Sequence, residues 1–458
     1  MSLFKDIHKH NSNICLIDKK GKNYLYRDII KKSKFLTSRL TSRKLIFFLA
    51  SNEVESISAY LGLYKKNMIQ MLIDPNIKKN SLNKLIKDYL PEYIFAPKLY
   101  KINSLNYKLF KVFDLNNIYK KKSKNNYNVN KDLAILLPTS GSTGSKKYVR
   151  ISHSNLIDNT LNIINFLKIK KSDRTITTMP FFYTYGLSII NTHLNVGASI
   201  VVTNEKVIEK KFWQIFKEKK ITNFGGVPYF YEILRKLKFD KMKLPSLKYF
   251  TQAGGHLSTE LVKYFYNYTV KYKKLFIIMY GQTEATSRMT YLPYKFINKK
   301  IGSIGIPIPN GKINLDKKDG EIIYKGKNVS LGYALNYKDL SKSDENNQIL
   351  RTGDLAKKDK DGFVYITGRK LREIKIYGHR INLDELEMLL KNRGIKCACL
   401  GLNDKIIIFH NQKIHTKIWK IVSDFTTLNL NYFKIYYIKK IPINENNKTS
   451  YKKLEKLL

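Results

Sequence analysis

The sequence TSGSTGSKKYV at residues 139–149 carries more information about this chain than any other stretch. Its hydroxyl side chains supply hydrogen-bond donors, and Gly141 and Gly144 let the backbone curl around an anion. Lys147 adds a point charge suited to a polyphosphate. It is not a Walker A loop, because no glycine lies five residues before a Gly-Lys-Ser/Thr, and because the segment after it has the pattern of a strand. By itself the stretch fits a phosphate-binding loop and a flexible Ser/Gly loop equally well.

The segments on either side of this loop predict an α/β fold. Ala134–Leu137 and Tyr148–Ile151 are apolar runs typical of buried strands, and Ser154 is predicted to cap the helix that follows. Leu275–Met279 predicts another strand that leads into Tyr280. Because short apolar segments alternate with helical patterns through most of the chain, we expect β-sheets layered with helices.

The last quarter of the chain has a different pattern. Glu321–Tyr324 and Phe363–Ile366 show the alternation of antiparallel strands, which predicts a small β-rich subdomain. Beyond them, Asn382 is predicted to cap a helix that ends at Gly394. We therefore expect a large N-terminal domain of residues 1–368 and a small α/β domain of residues 369–458.

The net charge of +48 in 458 residues allows two interpretations. A basic chain can bind nucleic acid or an anionic membrane, but such a site requires clustered cations. Here the lysines are scattered, and the densest run, Lys120–Lys124, is predicted to be a solvated loop. Compositional drift towards Lys, Asn, Ile and Tyr is therefore favoured, and no specific nucleic-acid partner is expected.

Other features of composition favour a cytoplasmic protein. The apolar runs are far shorter than the roughly 18 residues that a membrane-spanning helix needs, so no integral membrane segment is expected. The charged N-terminus has no apolar core of a signal peptide. Cys15, Cys397 and Cys399 have no metal-type spacing, which fits free thiols in a reducing compartment.

Six further motifs follow the loop in a fixed order. They are PFFYTYGL (Pro180–Leu187), AGGHL (Ala253–Leu257), YGQTEAT (Tyr280–Thr286), RTGDL (Arg351–Leu355), GRKLREIKIYGHRINLDELE (Gly368–Glu387) and PINENNKTSYKKL (Pro442–Leu454). Together with residues 139–149, this set resembles the adenylate-forming superfamily, which includes acyl-CoA synthetases, luciferases and peptide-synthetase adenylation domains. The motifs cover nearly the whole chain, so the resemblance is far more specific than any one of them.

The resemblance implies an AMP-forming acid–thiol ligase. Such an enzyme activates a small-molecule carboxylic acid with ATP and Mg²⁺, and the acyl group of the resulting acyl-adenylate then passes to a thiol. Coenzyme A and the phosphopantetheine arm of an acyl carrier protein are both open as acceptors. The resemblance also implies a mobile C-terminal domain with a hinge near Leu371, where the family usually has Asp or Lys. That domain would present Lys448 in one step and the segment around Gly378 in the other.

Individual roles follow from the same resemblance. Lys448 would be the cation that bridges the carboxylate and the α-phosphate, and Glu284 with Thr143 would bind magnesium, since that ion prefers hard oxygen ligands. Asp354 would accept hydrogen bonds from the ribose hydroxyls. The remaining ATP-binding positions are Thr139, Ser140, Gly141, Ser142, Gly144 and Lys147 for the phosphates, Gly254, Gly255, Tyr280, Gly281, Gln282 and Thr283 around adenine and the α-phosphate, and Arg369 near the ribose.

The acyl-pocket motif implies the kind of acid. Tyr183 and Gly186 are its predicted substrate-binding residues, and Tyr183 stands where acyl-CoA synthetases commonly carry His. The motif has no acidic residue to meet an α-ammonium group, so an unsubstituted carboxylic acid is favoured. Two alternatives remain at this stage: amino-acid adenylation for a carrier protein, and a basic polyanion-binding protein without catalysis.

Overall fold

A computed structural model describes residues 3–100, 102, 106–123, 125–138, 147–376, 379–402, 405–412, 415–425, 430–444 and 449–458. Strands and helices alternate along most of these residues, which confirms the predicted α/β class. Within the same residues, no helix is long and apolar enough to cross a membrane.

The strands are β1 Ile14–Ile17, β2 Asn23–Leu25, β3 Leu45–Leu49, β4 Ile69–Ile73, β5 Tyr93–Pro97, β6 Tyr107–Phe113, β7 Asn116–Lys121, β8 Leu133–Pro138, β9 Tyr148–Ser152, β10 Arg174–Ile176, β11 Ser199–Val201, β12 Asn223–Gly226, β13 Tyr249–Gln252, β14 Leu275–Tyr280, β15 Thr290–Leu292, β16 Ile306–Pro307, β17 Lys312–Leu315, β18 Glu321–Lys325, β19 Tyr333–Ala334, β20 Ile349–Lys358, β21 Val364–Arg369, β22 Glu373–Ile376, β23 His379–Asn382, β24 Cys397–Leu402, β25 Lys405–His410 and β26 Phe433–Tyr437. The α-helices are α1 Tyr26–Thr37, α2 Val54–Lys65, α3 Lys79–Tyr89, α4 His153–Leu167, α5 Thr184–Val196, α6 Lys210–Glu218, α7 Pro228–Lys236, α8 Thr259–Tyr272, α9 Leu383–Asn392, α10 His415–Phe425 and α11 Tyr451–Glu455.

Two large sheets form the N-terminal part of the molecule. One has the strand order β16-β15-β14-β13-β12-β10-β11-β1-β2, and the other has the order β19-β9-β8-β4-β3-β5-β7-β6. One buried cluster contains Leu16 and Ile46 from the two sheets together with Ile29 of α1, Ile57 of α2 and Leu194 of α5. Helices therefore pack between the sheets, and removal of this apolar surface from water stabilises the layered arrangement.

The parallel strands of the nine-stranded sheet determine where a ligand can bind. Strands β10 to β14 pair with one another in parallel. Their carboxyl ends therefore lie at one edge of the sheet, and the loops that follow β12, β13 and β14 meet there. In open α/β sheets this edge is the usual place for a ligand crevice.

The predicted β-rich part and the helix predicted between Asn382 and Gly394 are also present. Strands β17, β18, β20 and β21 form a separate antiparallel sheet. Asn382 caps α9, because its side-chain oxygen accepts hydrogen bonds from the backbone N–H groups of Asp384 and Glu385 at 2.9 and 3.2 Å. Gly394 follows the helix with a φ of +80°, the left-handed conformation that ends helices at glycine.

Two local predictions were wrong. The cap of α4 is Ser152 rather than Ser154: the Ser152 hydroxyl accepts from the backbone N–H of Asn155, and the Asn155 side chain accepts from that of Ser152. This reciprocal pair satisfies two helix-end donors and starts the helix two residues earlier. Lys120 and Lys121 belong to β7 rather than to a loop, because this stretch pairs with both β5 and β6.

Candidate active site

Two glycine-containing loops leave the carboxyl ends of β13 and β14. Gly254 has a φ of +85°, a conformation that side chains disfavour. Gly281 lies so close to the next segment that a Cβ atom there would be 1.9 Å from the carbonyl oxygen of Ser287. Glycine at these positions keeps both loops at the sheet edge, next to Gly255, Gln282 and Thr283, which the sequence places in the same site.

The carboxylate of Asp354 connects β14 to the antiparallel sheet. Its side chain is 3% exposed. The Tyr280 hydroxyl and the Gln282 amide both donate to Oδ2, the amide at 2.8 Å. Nε of Arg369 donates to Oδ1 at 2.9 Å. The structure therefore brings together four of the predicted ATP-binding residues, and burial together with the charge of Asp354 raises the pKa of Tyr280 well above its usual value.

A second cluster surrounds Glu284. The Tyr333 hydroxyl donates to Oε1 of Glu284 at 2.8 Å, and the ammonium group of Lys147 lies 3.8 Å from the centre of the Tyr333 ring. Tyr333 thus links the last residue of the predicted phosphate loop to the predicted magnesium ligand. The donor set fits Mg²⁺, because Glu284 offers a hard carboxylate and this ion is commonly held by one or two carboxylates plus substrate phosphates.

Tyr333→Phe tests this link. The ring under Lys147 is kept, but Glu284 loses the hydrogen bond that orients its carboxylate. We expect the concentrations of ATP and Mg²⁺ that give half-maximal pyrophosphate release to rise about tenfold, as for one lost hydrogen bond to a charged group. Tyr229→Phe, at a side chain that is 43% exposed, is the matched control. Equal titration curves for Tyr333→Phe and the unaltered protein would contradict the assigned role.

The acyl-pocket segment lies at the start of α5. Tyr183 immediately precedes the helix and packs in an apolar cluster with Tyr185, Tyr249 and Met279. Gly186 is buried in the first turn. The Thr184 hydroxyl donates to the carbonyl of Thr286 at 2.9 Å, so the helix start is attached to the loop that carries Glu284.

Other predicted site residues lie outside the described part of the chain. These are Thr139, Ser140, Gly141, Ser142, Thr143, Gly144, Gly378 and Lys448. Their roles stay predictions. Conversely, sequence reasoning missed Tyr333 and Arg288. Tyr333 has no motif of its own. It lies near Lys147 because β19 pairs with β9, and near Glu284 because the backbone N–H of Ser330 donates to the Glu284 carbonyl at 2.8 Å. Arg288 lies two residues after the YGQTEAT motif. In a chain with 84 lysines and arginines, nothing in the sequence distinguishes this arginine from the others.

His193 on α5 is a buried neutral imidazole. Nδ1 lies 2.8 Å from the carbonyl oxygen of Ile189, so Nδ1 carries the proton, and Nε2 accepts from the Asn223 amide at 3.2 Å. Burial lowers its pKa from the usual value. Below about pH 6.5 the unfolded chain therefore binds a proton that the folded chain excludes, and stability falls.

His193→Gln should reduce this acid sensitivity. Between about pH 7 and pH 5.5, the free energy of unfolding of the unaltered protein is expected to fall more than that of the variant, by at most about 1.3 kcal/mol, the limit set by protonation of the unfolded imidazole. Urea unfolding at each pH measures the difference. His8→Gln, at an exposed position, is the control, and parallel pH profiles for His193→Gln and the unaltered protein would refute the prediction.

The fold and the clustered polar side chains define an α/β protein with a candidate ligand site at the carboxyl edge of its parallel strands. The family model described as AMP-binding enzyme matches residues 3–334. The chain therefore belongs to the AMP-binding enzyme family.

Similar proteins agree with this assignment. Probable 4-coumarate–CoA ligase 1 of Dictyostelium discoideum is 32% identical over 289 residues, which cover 59% of this chain and 51% of that protein. D-alanine–D-alanyl carrier protein ligase of Staphylococcus epidermidis is 25% identical over 387 residues, covering 80% of this chain and 77% of the relative. The structure of o-succinylbenzoate CoA synthetase from Bacillus subtilis with an acyl-adenylate is 18% identical, with a TM-score of 0.81 and coverage of 99% and 98%. At that identity the structural match supports the fold.

Proposed function

We propose that this protein is an ATP-dependent acid–thiol ligase. A carboxylate oxygen of the acid attacks the α-phosphorus of ATP, and the bond to the β-phosphate breaks to give acyl-adenylate and pyrophosphate. A thiol then attacks the acyl carbon and AMP leaves. The observation that carries the proposal is the junction of the Asp354 and Glu284 clusters with the carboxyl ends of the parallel strands. The names of the two relatives, which act on coenzyme A and on a carrier protein, support either thiol as the acceptor.

Each cluster has a role in this reaction. Asp354, with Tyr280, Gln282 and Arg369 around it, would bind the ribose side of the nucleotide. Glu284 would hold Mg²⁺, which screens the phosphate charge when bound, and Tyr333 orients that carboxylate. Because the acid and the α-phosphate are both anions, the reaction also needs positive charge between them, which we assign to Lys448.

Adenylation and thiol transfer need different residues near the carboxyl group of the acid. We propose that residues 369–458 form the mobile domain and that residues 1–368 form the main body, with the hinge near Leu371. A buried cluster that includes Ile381, Leu386, Ile408 and Ile418 gives the C-terminal segment an apolar core. Such a core supports movement as a unit, since a domain with its own core can rotate without unfolding. We also propose a cytoplasmic location.

Pyrophosphate release tests the proposed function. The full chain is incubated with ATP, Mg²⁺ and single acids from fatty, aromatic and short-chain classes, with and without coenzyme A. We expect release that depends on the acid, followed by thioester formation when a thiol is present. Absence of acid-dependent pyrophosphate with every acid would overturn the proposal.

A further inference from the structure

The side chain of Arg288 is a buried cation in the apolar cluster that contains Tyr183. The residue is 3% exposed. Its Nε contacts the sulfur of Met279 at 3.3 Å, Nη1 donates to the Ser287 hydroxyl at 2.6 Å, and its guanidinium lies 3.8 Å from the centre of the Tyr185 ring. Within the described part of the chain, no carboxylate forms an ion pair with it. Burial accordingly lowers the pKa of Arg288.

Arg150 shows how this chain satisfies a buried arginine. Arg150 has no exposed surface, pairs with Glu345 at 2.7 Å and donates to the carbonyls of Leu331 and Lys342, both at 2.6 Å. Burial of a charge without such partners costs free energy. Arg288 therefore lacks the anion that Arg150 has.

The Tyr249 hydroxyl lies in the same cavity as Arg288 and has no hydrogen-bond partner within the described residues. Arg288 and Tyr249 line one cavity between α4, α5 and strands β12 to β14. Tyr249 is 6% exposed, and its hydroxyl makes no hydrogen bond within the described residues. Burial raises the pKa of Tyr249, and the charge of the Asp173 carboxylate contributes to this shift. That carboxylate is already paired with the ammonium group of Lys248 at 2.7 Å. Among the described residues, the cavity thus contains a cation without an anionic partner and a hydroxyl without a hydrogen-bond acceptor.

The cavity lies beside the candidate active site, because Tyr185, Tyr249 and Met279, which line it, pack in one apolar cluster with Tyr183 of the acyl-pocket segment. Arg288 lies four residues after Glu284, and its backbone packs against Gly281. An acid whose reacting carboxylate lies near the nucleotide would extend its other end into this cavity.

We infer that the acid activated here carries a second carboxylate, which pairs with Arg288 and accepts a hydrogen bond from Tyr249. This inference rests on the proposed function and narrows its substrate to dicarboxylic acids. The same cation disfavours an amino acid, because an ammonium group in the cavity would be repelled. The anion that Arg288 lacks in the protein is thereby supplied by the substrate.

Acid pairs of equal carbon number test the inference. Pyrophosphate release is measured with propanoic against propanedioic acid, butanoic against butanedioic acid and pentanoic against pentanedioic acid. We expect at least one diacid to exceed its monoacid in kcat/KM by about tenfold or more, as for one charge-assisted pair. Preference for the monoacid in every pair, with acid-dependent release present, would overturn the inference and leave the proposed function standing. Absence of release with all acids would remove both.

Variants separate recognition from a structural role. Arg288→Met should lower the diacid-to-monoacid ratio of kcat/KM by about 10- to 100-fold, and Arg288→Lys should lower it less. Arg235→Met, at a side chain that is 42% exposed, should leave the ratio unchanged. If Arg288→Met lowered kcat/KM equally for the diacid and the monoacid of a pair, Arg288 would only position Tyr185, which contradicts the inference.

Tyr249→Phe provides a test that does not depend on the folding of Arg288→Met. The substitution deletes a hydroxyl that has no partner in the described structure, so the melting temperature should stay within about 2 °C. The diacid-to-monoacid ratio should fall about fivefold. An unchanged ratio in both Tyr249→Phe and Arg288→Lys would overturn the inference.

Discussion

Replacement of Lys448 by alanine is expected to abolish acyl-adenylate formation and to spare thioester formation from added acyl-adenylate. The physical reason is that the attacking carboxylate and the α-phosphate repel each other, and a cation between them acts mainly in the transition state of the first step. Loss of one such group costs about 100- to 1,000-fold in rate. Pyrophosphate exchange measures the first step, and thiol-dependent release of AMP from supplied adenylate measures the second.

The neighbouring lysines give matched controls for this experiment. Lys452 and Lys453 are exposed on α11, four and five residues after Lys448. Alanine at either position should leave pyrophosphate exchange within about twofold, since an exposed charge contributes little. A Lys448→Ala variant that exchanges pyrophosphate at the unaltered rate would refute the role of Lys448.

Asp354→Ala is expected to raise the KM for ATP by about 100-fold or more. In the described structure Oδ2 accepts from both Tyr280 and Gln282, whereas Oδ1 accepts from Arg369. A carboxylate has about four acceptor positions, so one remains on Oδ1. A ribose hydroxyl can take that position, and a second hydroxyl would displace Tyr280 and free its ring to stack on adenine. Each hydrogen bond to the carboxylate contributes about 1.5–3 kcal/mol.

Two further variants separate nucleotide binding from folding. Asp354→Asn keeps the volume and loses the charge, so we expect a smaller but still clear rise in KM for ATP. Asp361→Asn removes a carboxylate that is 56% exposed and pairs with Lys300 at the surface, and its KM should not change. Thermal melting of each variant checks the fold. A KM for ATP that is unaltered in Asp354→Ala would exclude Asp354 from the nucleotide site.

Much of the fold was predictable because its signals are local. The apolar runs at Ala134–Leu137 and Leu275–Met279 form strands that are buried except at Leu275, as continuous apolar segments of parallel or central strands do. Asn382 and Gly394 marked the ends of α9. An asparagine side chain can accept hydrogen bonds from the free N–H groups at the start of a helix, and a glycine can adopt the left-handed conformation that ends one. The cap of α4 was misplaced because Ser152 and Ser154 both suit a helix start, and the choice depended on the side chain of Asn155.

The candidate site was predictable to the extent that motifs carry it. The sequence identified Tyr280, Gln282, Asp354 and Arg369, and the structure places their side chains in one network. It did not identify the partner of Glu284, since Tyr333 is 49 residues away and has no distinctive neighbours. The division at residue 368 stays a prediction, as do the roles of residues 139–144 and Lys448.

The sequence by itself determined the family, the α/β class and the residues that follow each strand, because motifs and periodicity are properties of neighbouring residues. Tertiary structure alone decided which charges are partnered. Among 84 lysines and arginines, composition cannot distinguish Arg150, which is paired, from Arg288, which faces a cavity without an anion. That difference arises from the packing of α4 and α5 against β12 to β14, where segments distant in sequence exclude water and bury Arg288 without a carboxylate partner among the described residues.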